Sequence, residues 1–518
     1  MRIGIDVGGT NTDAVLMDGN ELLAGCKFPT TPNVSDGIRA AVEAVLGTSG
    51  IDAARIRCVM IGTTHFTNAF VEGKHLVDVG VIRIALPAAR GIPPLMDWPE
   101  HLLARIGTHT RMVRGGYQFD GRLNAPLDEQ AVADAAHDFR NKGIRSVAIT
   151  SLFSPVKSDM EQRAAEIVAG ILDGPSITVS NTLGRVGLLE RENAAVMNAS
   201  LAELSTRVVS SFRSALLDMN IHAPFYISQN DGTLMSAAAV EKHPVLTFSS
   251  GPTNSMRGAA YLSGLKNALV ADIGGTTTDI GMLTNGFPRE SSLTANIGGV
   301  RTNFRMPDVL ALGLGGGSLV KCAGDTVDVG PTSVGYQLTQ RALIFGGETL
   351  TASDIAVAAG YAHFGATDRV SHLSRALINS AVDRIHEIIA DGIDRMKVSA
   401  DAVPLVLVGG GSVLVNRPIP GVSEIVIPKN ADVANAIGAS IAHVSGESDH
   451  IVSYDTTSRN EAIEAAKREA ILNAVRAGAD AGSIDVLEIE ELPVAYLRGG
   501  SVRLRVKVAG SLAAAGPA

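Results

Sequence analysis

One nonapeptide occurs twice in this chain, and no other feature limits its fold as much. Residues 6–14 read DVGGTNTDA and residues 272–280 read DIGGTTTDI, identical at six of nine positions. Each copy follows a short β-branched or apolar run (Ile3–Ile5, Ala268–Ala271) and precedes another (Ala14–Met17, Ile280–Leu283). Strand, Gly-Gly-Thr turn, strand is the pattern of a β-hairpin. Two such hairpins half a chain apart predict two homologous units, each with its own anion-gripping turn.

The chemistry of the turn follows from its residue types. Gly8 and Gly9, and Gly274 and Gly275, let backbone N–H groups approach an anion closely, while Thr10, Asn11 and Thr12, and Thr276 and Thr277, add side-chain donors. Asp6 and Asp272, at strand ends, are candidates to hold Mg²⁺, which commonly keeps water in its shell. Asp13 and Asp279 return a second carboxylate to each mouth and are candidate catalytic groups. No GxxxxGK[ST] loop exists, so the phosphate grip is not of the Walker type. Two further Gly-rich loops, Gly315-Gly316-Gly317 and Gly409-Gly410-Gly411, complete the inventory, and the second, at the end of a predicted strand, suits nucleotide contact.

Around these loops, strands alternate with helices, which predicts an α/β fold. Expected helices cover 35–47 (capped by Ser35), 128–141 (capped by Asp128), 190–218, 373–397 and a small-residue helix, ANAIGASIA, capped by Asp432. Expected strands include 58–61, 147–152, 404–408 and 425–427. The last 70 residues read differently, as a charged helix over 458–480 followed by strands at 484–489, 494–497 and 501–508, with a turn at Gly499-Gly500 and a frayed end. The expected division is a first ATPase segment (1–80), an inserted substrate-side α/β region (81–250), a second ATPase unit (251–448) and a small α+β tail (449–518).

Composition removes several classes. A net charge of −9 with no basic block, one Trp and 4% aromatic residues argue against nucleic-acid binding. Three scattered cysteines form neither a disulfide framework nor a zinc site. No apolar run is long enough to span a membrane, and a soluble cytoplasmic protein is expected.

The duplicated hairpins resemble the actin, hexokinase and heat-shock chaperone class, in which two ribonuclease H-like units clamp ATP and Mg²⁺. By that resemblance 6–13 and 272–279 are the phosphate segments, 409–411 the adenosine segment, and Gly438-Ala439 part of a connecting helix. A closer resemblance covers most of residues 1–445. Gly62–Ala69, Glu190–Asn193, Gln229–Ser236, Ser250–Thr253, Gly313–Ser318 and Asp328–Ser333, in this order, are similar to the hydantoinase A/5-oxoprolinase family, whose group includes acetone carboxylase subunits. It implies ATP-dependent opening of a cyclic amide such as a hydantoin, a lactam or 5-oxoproline. It also implies a hydantoinase B-like second subunit and an oligomer. Typical members run longer, into a further C-terminal domain. Substrate-side candidates are Asn230, Asp231 and Gly315–Gly317; His65 is a catalytic candidate. This chain reads Asn230-Asp231-Gly232 where the family often has Asn-Gly-Gly or Ser-Asn-Gly, and Ser-Gly-Pro-Thr-Asn-Ser over 250–255 where it usually has Ser-Gly-Pro-Ala-Gly-Gly. Those departures bear on the substrate, not the nucleotide. A small-molecule kinase and a nucleotide-gated partner protein with slow ATPase activity share the fold and stay as alternatives.

Overall fold

A computed structural model describes residues 1–8, 11–30, 34–184, 187–291, 295–303, 306–323, 326–441, 443–494 and 501–513. Gly9 and Thr10, the 495–500 part of the predicted tail hairpin and residues 514–518 lie outside the described residues.

Both repeats form the expected hairpins. Strand Arg2–Val7 pairs antiparallel with Asn11–Asp18, and Ala268–Ile273 with Thr278–Thr284. The register places Asp6 directly opposite Asp13, and Asp272 directly opposite Asp279. Opposed residues of an antiparallel pair point to the same face, and like charges there are destabilising. The chain carries this cost twice.

Each hairpin nucleates a sheet of the same topology. The first has the order Leu234–Ser236, Phe225–Ser228, Cys58–Thr63, Arg2–Val7, Asn11–Asp18, Glu21–Pro29. The second has the order Phe287–Pro288, Thr278–Thr284, Ala268–Ile273, Val403–Val408, Val422–Val426, with Val309–Leu312 also on Thr278–Thr284. In both, the first hairpin strand runs parallel to the strand on its other side. Helix Val34–Ser49 covers the first sheet with Ile38, Ala41, Val42 and Val45; it starts at Val34, so the expected cap Ser35 falls inside it. Helix Arg375–Met396, capped by the Ser374 hydroxyl, covers the second with Ile378, Val382, Ile385 and Ile389.

A third sheet, His109–Arg114, Val79–Leu86, Ser146–Ser151 and Ser176–Val179, is wholly parallel. Helix Glu129–Asn141, capped by Asp128, buries Val132, Ala135, Ala136 and Phe139 on it. The helical stretch predicted for 190–218 is two helices, Leu188–Ser200 and Ala202–Asp218, that break at Leu201. In the first, Arg191 donates to Ser180 Oγ, Gly187 O and Ser151 O, and Glu192 pairs with Arg83, so buried charges there are bonded.

Two helices fill the space between the hairpin sheets. Ser250–Ser263 and Ala434–Ser440 cross at glycines: a Cβ on Gly258 would stand 1.8 Å from Ala434 O, and one on Gly438 would stand 1.8 Å from Asn254 O. Only residues without side chains permit this approach. The Asp432 cap does not form. A 3₁₀ turn over Ala431–Val433 precedes this helix, Val433 takes the cap position, and Asp432 turns toward the cleft described below.

In the tail, the strand expected over 484–489 runs Asp485–Pro493, while residues 495–497 of the strand expected at 494–497 lie outside the described residues. Strand Ser501–Gly510 lies between it and Val444–Ser453, under helix Arg459–Arg476. Val502, Leu504, Val506 and Val508 are buried, as their alternation predicts. Arg505 and Lys507 on the polar face are buried as well. Lys507 bonds Asp231 at 2.9 Å and Glu290 at 2.8 Å, and Arg505 bonds Glu290 at 2.7 Å and Glu447 at 2.9 Å. These pairs hold the tail against both halves of the molecule.

Candidate functional site

The two hairpin mouths open into one cleft, a cavity of about 690 Å³. Asp6, Asp13, Asp272 and Asp279 all line it, with Gly8, Asn11, Gly274–Thr277, Gly316 and Gly409–Gly411. Sequence residues from both copies of the repeat are therefore brought together.

The carboxyls are crowded, Asp6 and Asp13 buried and Asp272 and Asp279 half-buried. Burial pushes Asp6 up to about 7, with the neighbouring Asp13 and Asp272 adding to the rise and hydrogen bonds from Asn254 and Asn435 opposing it. Burial pushes Asp279 up to about 7 as well, helped by Asp272. Asp13 and Asp272 are raised by the same cause, and Asp13 is partly compensated by Lys27. Lost hydration disfavours the charged form of each.

Their partners come from distant parts of the chain. Asn254 Nδ2 donates to Asp6 Oδ1 at 3.1 Å, and Ser255 Oγ donates to Asp272 Oδ2 at 2.5 Å. Asn435 Nδ2 bridges Asp6 Oδ2 at 3.1 Å and Asp13 Oδ2 at 2.7 Å. Lys27 Nζ reaches Asp13 Oδ2 at 2.9 Å. Asp13 Oδ1 is buried with no partner among the described residues. Asn254 and Ser255 occupy the two positions where the family pattern has glycines. They sit on a helix, not in a loop, and each holds one strand-end aspartate.

Glycines shape the walls. Gly62 lies beside Asp6 in the parallel register, where a Cβ would be 2.2 Å from both Asp6 Oδ1 and Asn254 Nδ2. Gly409, at φ +83°, plays the matching part in the other half, with a Cβ position 2.3 Å from Asp272 Oδ1. Gly411 N–H bonds Ile273 O at 2.7 Å, wrapping the loop around the strand end. The loop at Gly315–Gly317 braces the second turn: Gly316 N–H bonds Gly274 O at 3.0 Å and Gly317 N–H bonds Gly275 O at 2.7 Å. Of the three, Gly316 reaches the cavity.

Other predicted residues lie elsewhere. Thr64 and Asn68 line the cleft, whereas His65 between them does not. The His65 ring packs edge-on against Phe66, and burial, His75 and Arg207 lower its pKa. Asn230 is buried behind the cleft, its carbonyl bonded by Thr253 Oγ1. Asp231 serves the Lys507 ion pair and accepts from Thr233. Lys27, Asn254, Ser255, Asn435 and the exposed rings of Tyr336 and Phe364 at the cavity lip were not singled out from sequence. The 250–255 departure from the family pattern was the available signal for Asn254 and Ser255; nothing local marks the others. No group of three or more His, Cys, Asp or Glu side chains among the described residues closes on a metal ion by itself.

Two sheets of one topology, each ending in an aspartate hairpin and facing a common cleft, define the duplicated actin-like ATPase fold with a small α+β tail. Within that class the chain belongs to the hydantoinase/oxoprolinase family: residues 2–172 match its N-terminal region and residues 191–365 its hydantoinase/oxoprolinase region. Similar proteins include the caprolactamase subunit alpha of Pseudomonas jessenii, 28% identical over 436 residues (78% of this chain, 61% of that protein). Another is the acetophenone carboxylase gamma subunit of Aromatoleum aromaticum, 27% identical over 400 residues (69% and 53%). The chain thus spans a little over half to three-fifths of these relatives' length. Among solved structures, the ATP-dependent caprolactamase from Pseudomonas jessenii superposes with a TM-score of 0.78 at 21% identity, covering 99% of this chain and 88% of that one. Nucleotide-free acetone carboxylase superposes at 0.69 and 19%, with the same coverage. No helix among the described residues is long and apolar enough to cross a membrane.

Proposed function

We propose that the cleft binds ATP with Mg²⁺ and that the chain uses it to open a cyclic amide such as a hydantoin, a lactam or 5-oxoproline. The observation that carries this reading is the pair of opposed aspartates delivered by each sheet to one cavity. Four crowded carboxyls with raised pKa values suit a site whose ligand brings a cation, because a divalent ion relieves their mutual repulsion. Asp6 and Asp272 are the groups to hold Mg²⁺, which would supply charge neutralisation for the transferred phosphoryl group. Thr12, expected among the phosphate ligands, is fully buried with its hydroxyl 3.4 Å from Thr30 Oγ1 and does not line the cleft. The turn amides with Asn11, Thr276 and Thr277 are the groups to grip phosphate, and Gly409–Gly411, with Tyr336 and Phe364 at the lip, offer a wall for the base.

An amide C–N bond resists water because resonance stabilises it. In the proposed reaction the amide oxygen attacks the γ-phosphorus, the bond to the β,γ-bridging oxygen breaks, and ADP leaves with the electron pair. One water adds to the activated carbon and the C–N bond breaks, leaving an acyl phosphate. A second water releases the acid and inorganic phosphate. The Asp279 carboxyl, with no hydrogen-bonding partner among the described residues and a pKa near 7, is suited to take a proton from water. The relatives named as subunits support a second, hydantoinase B-like subunit and an oligomeric assembly.

Mg-ATP at a hundredfold excess over its dissociation constant should stabilise the native protein by about 2.7 kcal/mol, seen as a higher thermal midpoint that chelator reduces. Phosphate release should then depend on added cyclic amide, most strongly with the second subunit present. No thermal shift at millimolar Mg-ATP removes the basis of the reading. A phosphorylated product without ring opening transfers the protein to the kinases.

A further inference from the structure

A second, larger cavity of about 1120 Å³ lies at the opposite ends of the two central helices. Helix Ser250–Ser263 lends Asn254 and Ser255 to the nucleotide cleft and Arg257 and Tyr261 to this cavity. Helix Ala434–Ser440 lends Asn435 to the first and Ser440 to the second. The strand that ends at Asp6 begins here, at Arg2.

The cavity's charge runs against that of the chain. The whole protein carries −9, yet the walls here hold Arg2, Arg57, Arg257 and Lys266 against a single acid, Asp18. None of these four cations forms an ion pair among the described residues. Arg257 is the buried member, 6% exposed. Its Nη1 donates to Gly286 O at 2.5 Å, its Nη2 meets His443 Nδ1 at 2.8 Å, and its guanidinium stacks 3.9 Å over the Phe287 ring. Its Nε is buried without a partner, and so is the Nε of Arg2. His443 adds no charge: burial and Arg257 lower its pKa to about 4, so it is a neutral acceptor. Burial lowers Arg257 only to about 10, which leaves it charged.

Asp231, committed to Lys507, acts on Arg257 only at a distance and does not pair with it. A buried guanidinium without a paired carboxylate is costly, and like charges gathered around a cavity with low-dielectric walls concentrate a positive field. A bound anion relieves both costs. Tyr226, Tyr261, Leu265 and Leu512 supply phenol groups and apolar wall beside the cations, the mixture that orients a small organic ligand. We infer that this cavity is a binding site, separate from the nucleotide cleft, for a small multiply charged anion of the polycarboxylate or phosphate type.

The test is calorimetric titration of the full chain with citrate and, separately, with inorganic phosphate, at ionic strength held constant with KCl. Arg57 and Lys266 are exposed, so the Arg57→Ala/Lys266→Ala double variant should fold as the parent does; circular dichroism checks this. Saturable binding of either anion that weakens at least about fivefold in the double variant supports the site, at roughly 1 kcal/mol for that change. Response to citrate alone assigns carboxylate, and to phosphate alone assigns phosphate. No saturable binding of either anion, or binding that the double variant leaves unchanged, overturns the inference.

Discussion

The two hairpins are nearly the same peptide and end in different electrostatic states. The first is clamped. Its Asp13 lies across from Lys27 on the third strand and bonds it at 2.9 Å, while Asn435 ties Asp13 to Asp6. The second is open. The cross-strand neighbour of Asp279 on Val309–Leu312 is Ala311, and the Asp279 carboxyl has no hydrogen-bonding partner among the described residues. Two copies of one motif thus take different properties from their third strand: a cation beside the first, a methyl group beside the second. Asp6 and Asp279 are both raised to about 7, so the difference lies at the second aspartate of each copy: Asp13 is tied to a cation and an amide, whereas the Asp279 carboxyl has no side-chain hydrogen bond among the described residues.

The largest expected effect is at the open copy. Asp279→Asn should lower turnover about a hundredfold or more, the scale of a lost acid–base group, while nucleotide affinity changes little. Equal losses in affinity and turnover would mean that Asp279 holds ligand instead of moving protons. Next come Asp6→Asn and Asp272→Asn. Each should raise the Mg²⁺ concentration needed for half-maximal ATPase activity by about tenfold, equal to about 1.4 kcal/mol. A magnesium titration that overlays the parent curve would take the metal role away from that residue.

The asymmetry itself can be exchanged. Ala311→Lys places an amine where the first copy has Lys27, and Ala311 is exposed enough to accept it. A cation beside a carboxylate lowers its pKa by about 1–3 units, so the acid limb of the pH–rate profile should move toward lower pH. An unmoved limb would assign it to another group. Lys27→Ala performs the reverse change. It leaves Asp13 buried without its cation, and since Lys27 is about a third exposed, the loss should be about 1–2 kcal/mol, below that for a fully buried pair. Equilibrium urea denaturation measures it, and a loss under about 0.3 kcal/mol would reduce the clamp to a surface contact.

The smallest effect is on stability against pH. Asp6 and Asp279 have native values near 7, above the ordinary 3.8. Between those values the native state binds protons that the unfolded chain has released, so these two groups make stability fall as pH rises from about 4 to 7. Asp279→Asn should lose less stability than the parent between pH 5.5 and pH 7.5. Equal losses in the two proteins would show that Asp279 is ionised in the native state throughout this range.

The hairpins, each returning a second aspartate to the mouth of the first, were legible from the sequence, because strand pairing around a short turn is a local property; the direct opposition of Asp6 with Asp13 and of Asp272 with Asp279 came from the structure. So were the capped helix at 129–141, the long helix at 375–396 and the apolar face of strand Ser501–Gly510, each written in a repeat of 2 or 3.6 residues. What completes the site was not legible. Asn254 reaches Asp6 from 248 positions away, and Asn435 reaches it from 429. Periodicity says which face of an element is buried and nothing about which remote side chain meets it. The same gap explains Asp231, which a motif placed on the substrate side and the fold ties to Lys507 in the tail. It also explains His65, whose neighbours Thr64 and Asn68 face the cleft while its own ring packs on Phe66. The sequence alone determined that two carboxylate hairpins exist; only the tertiary structure, by setting Lys27 beside one and Ala311 beside the other, decided that they differ.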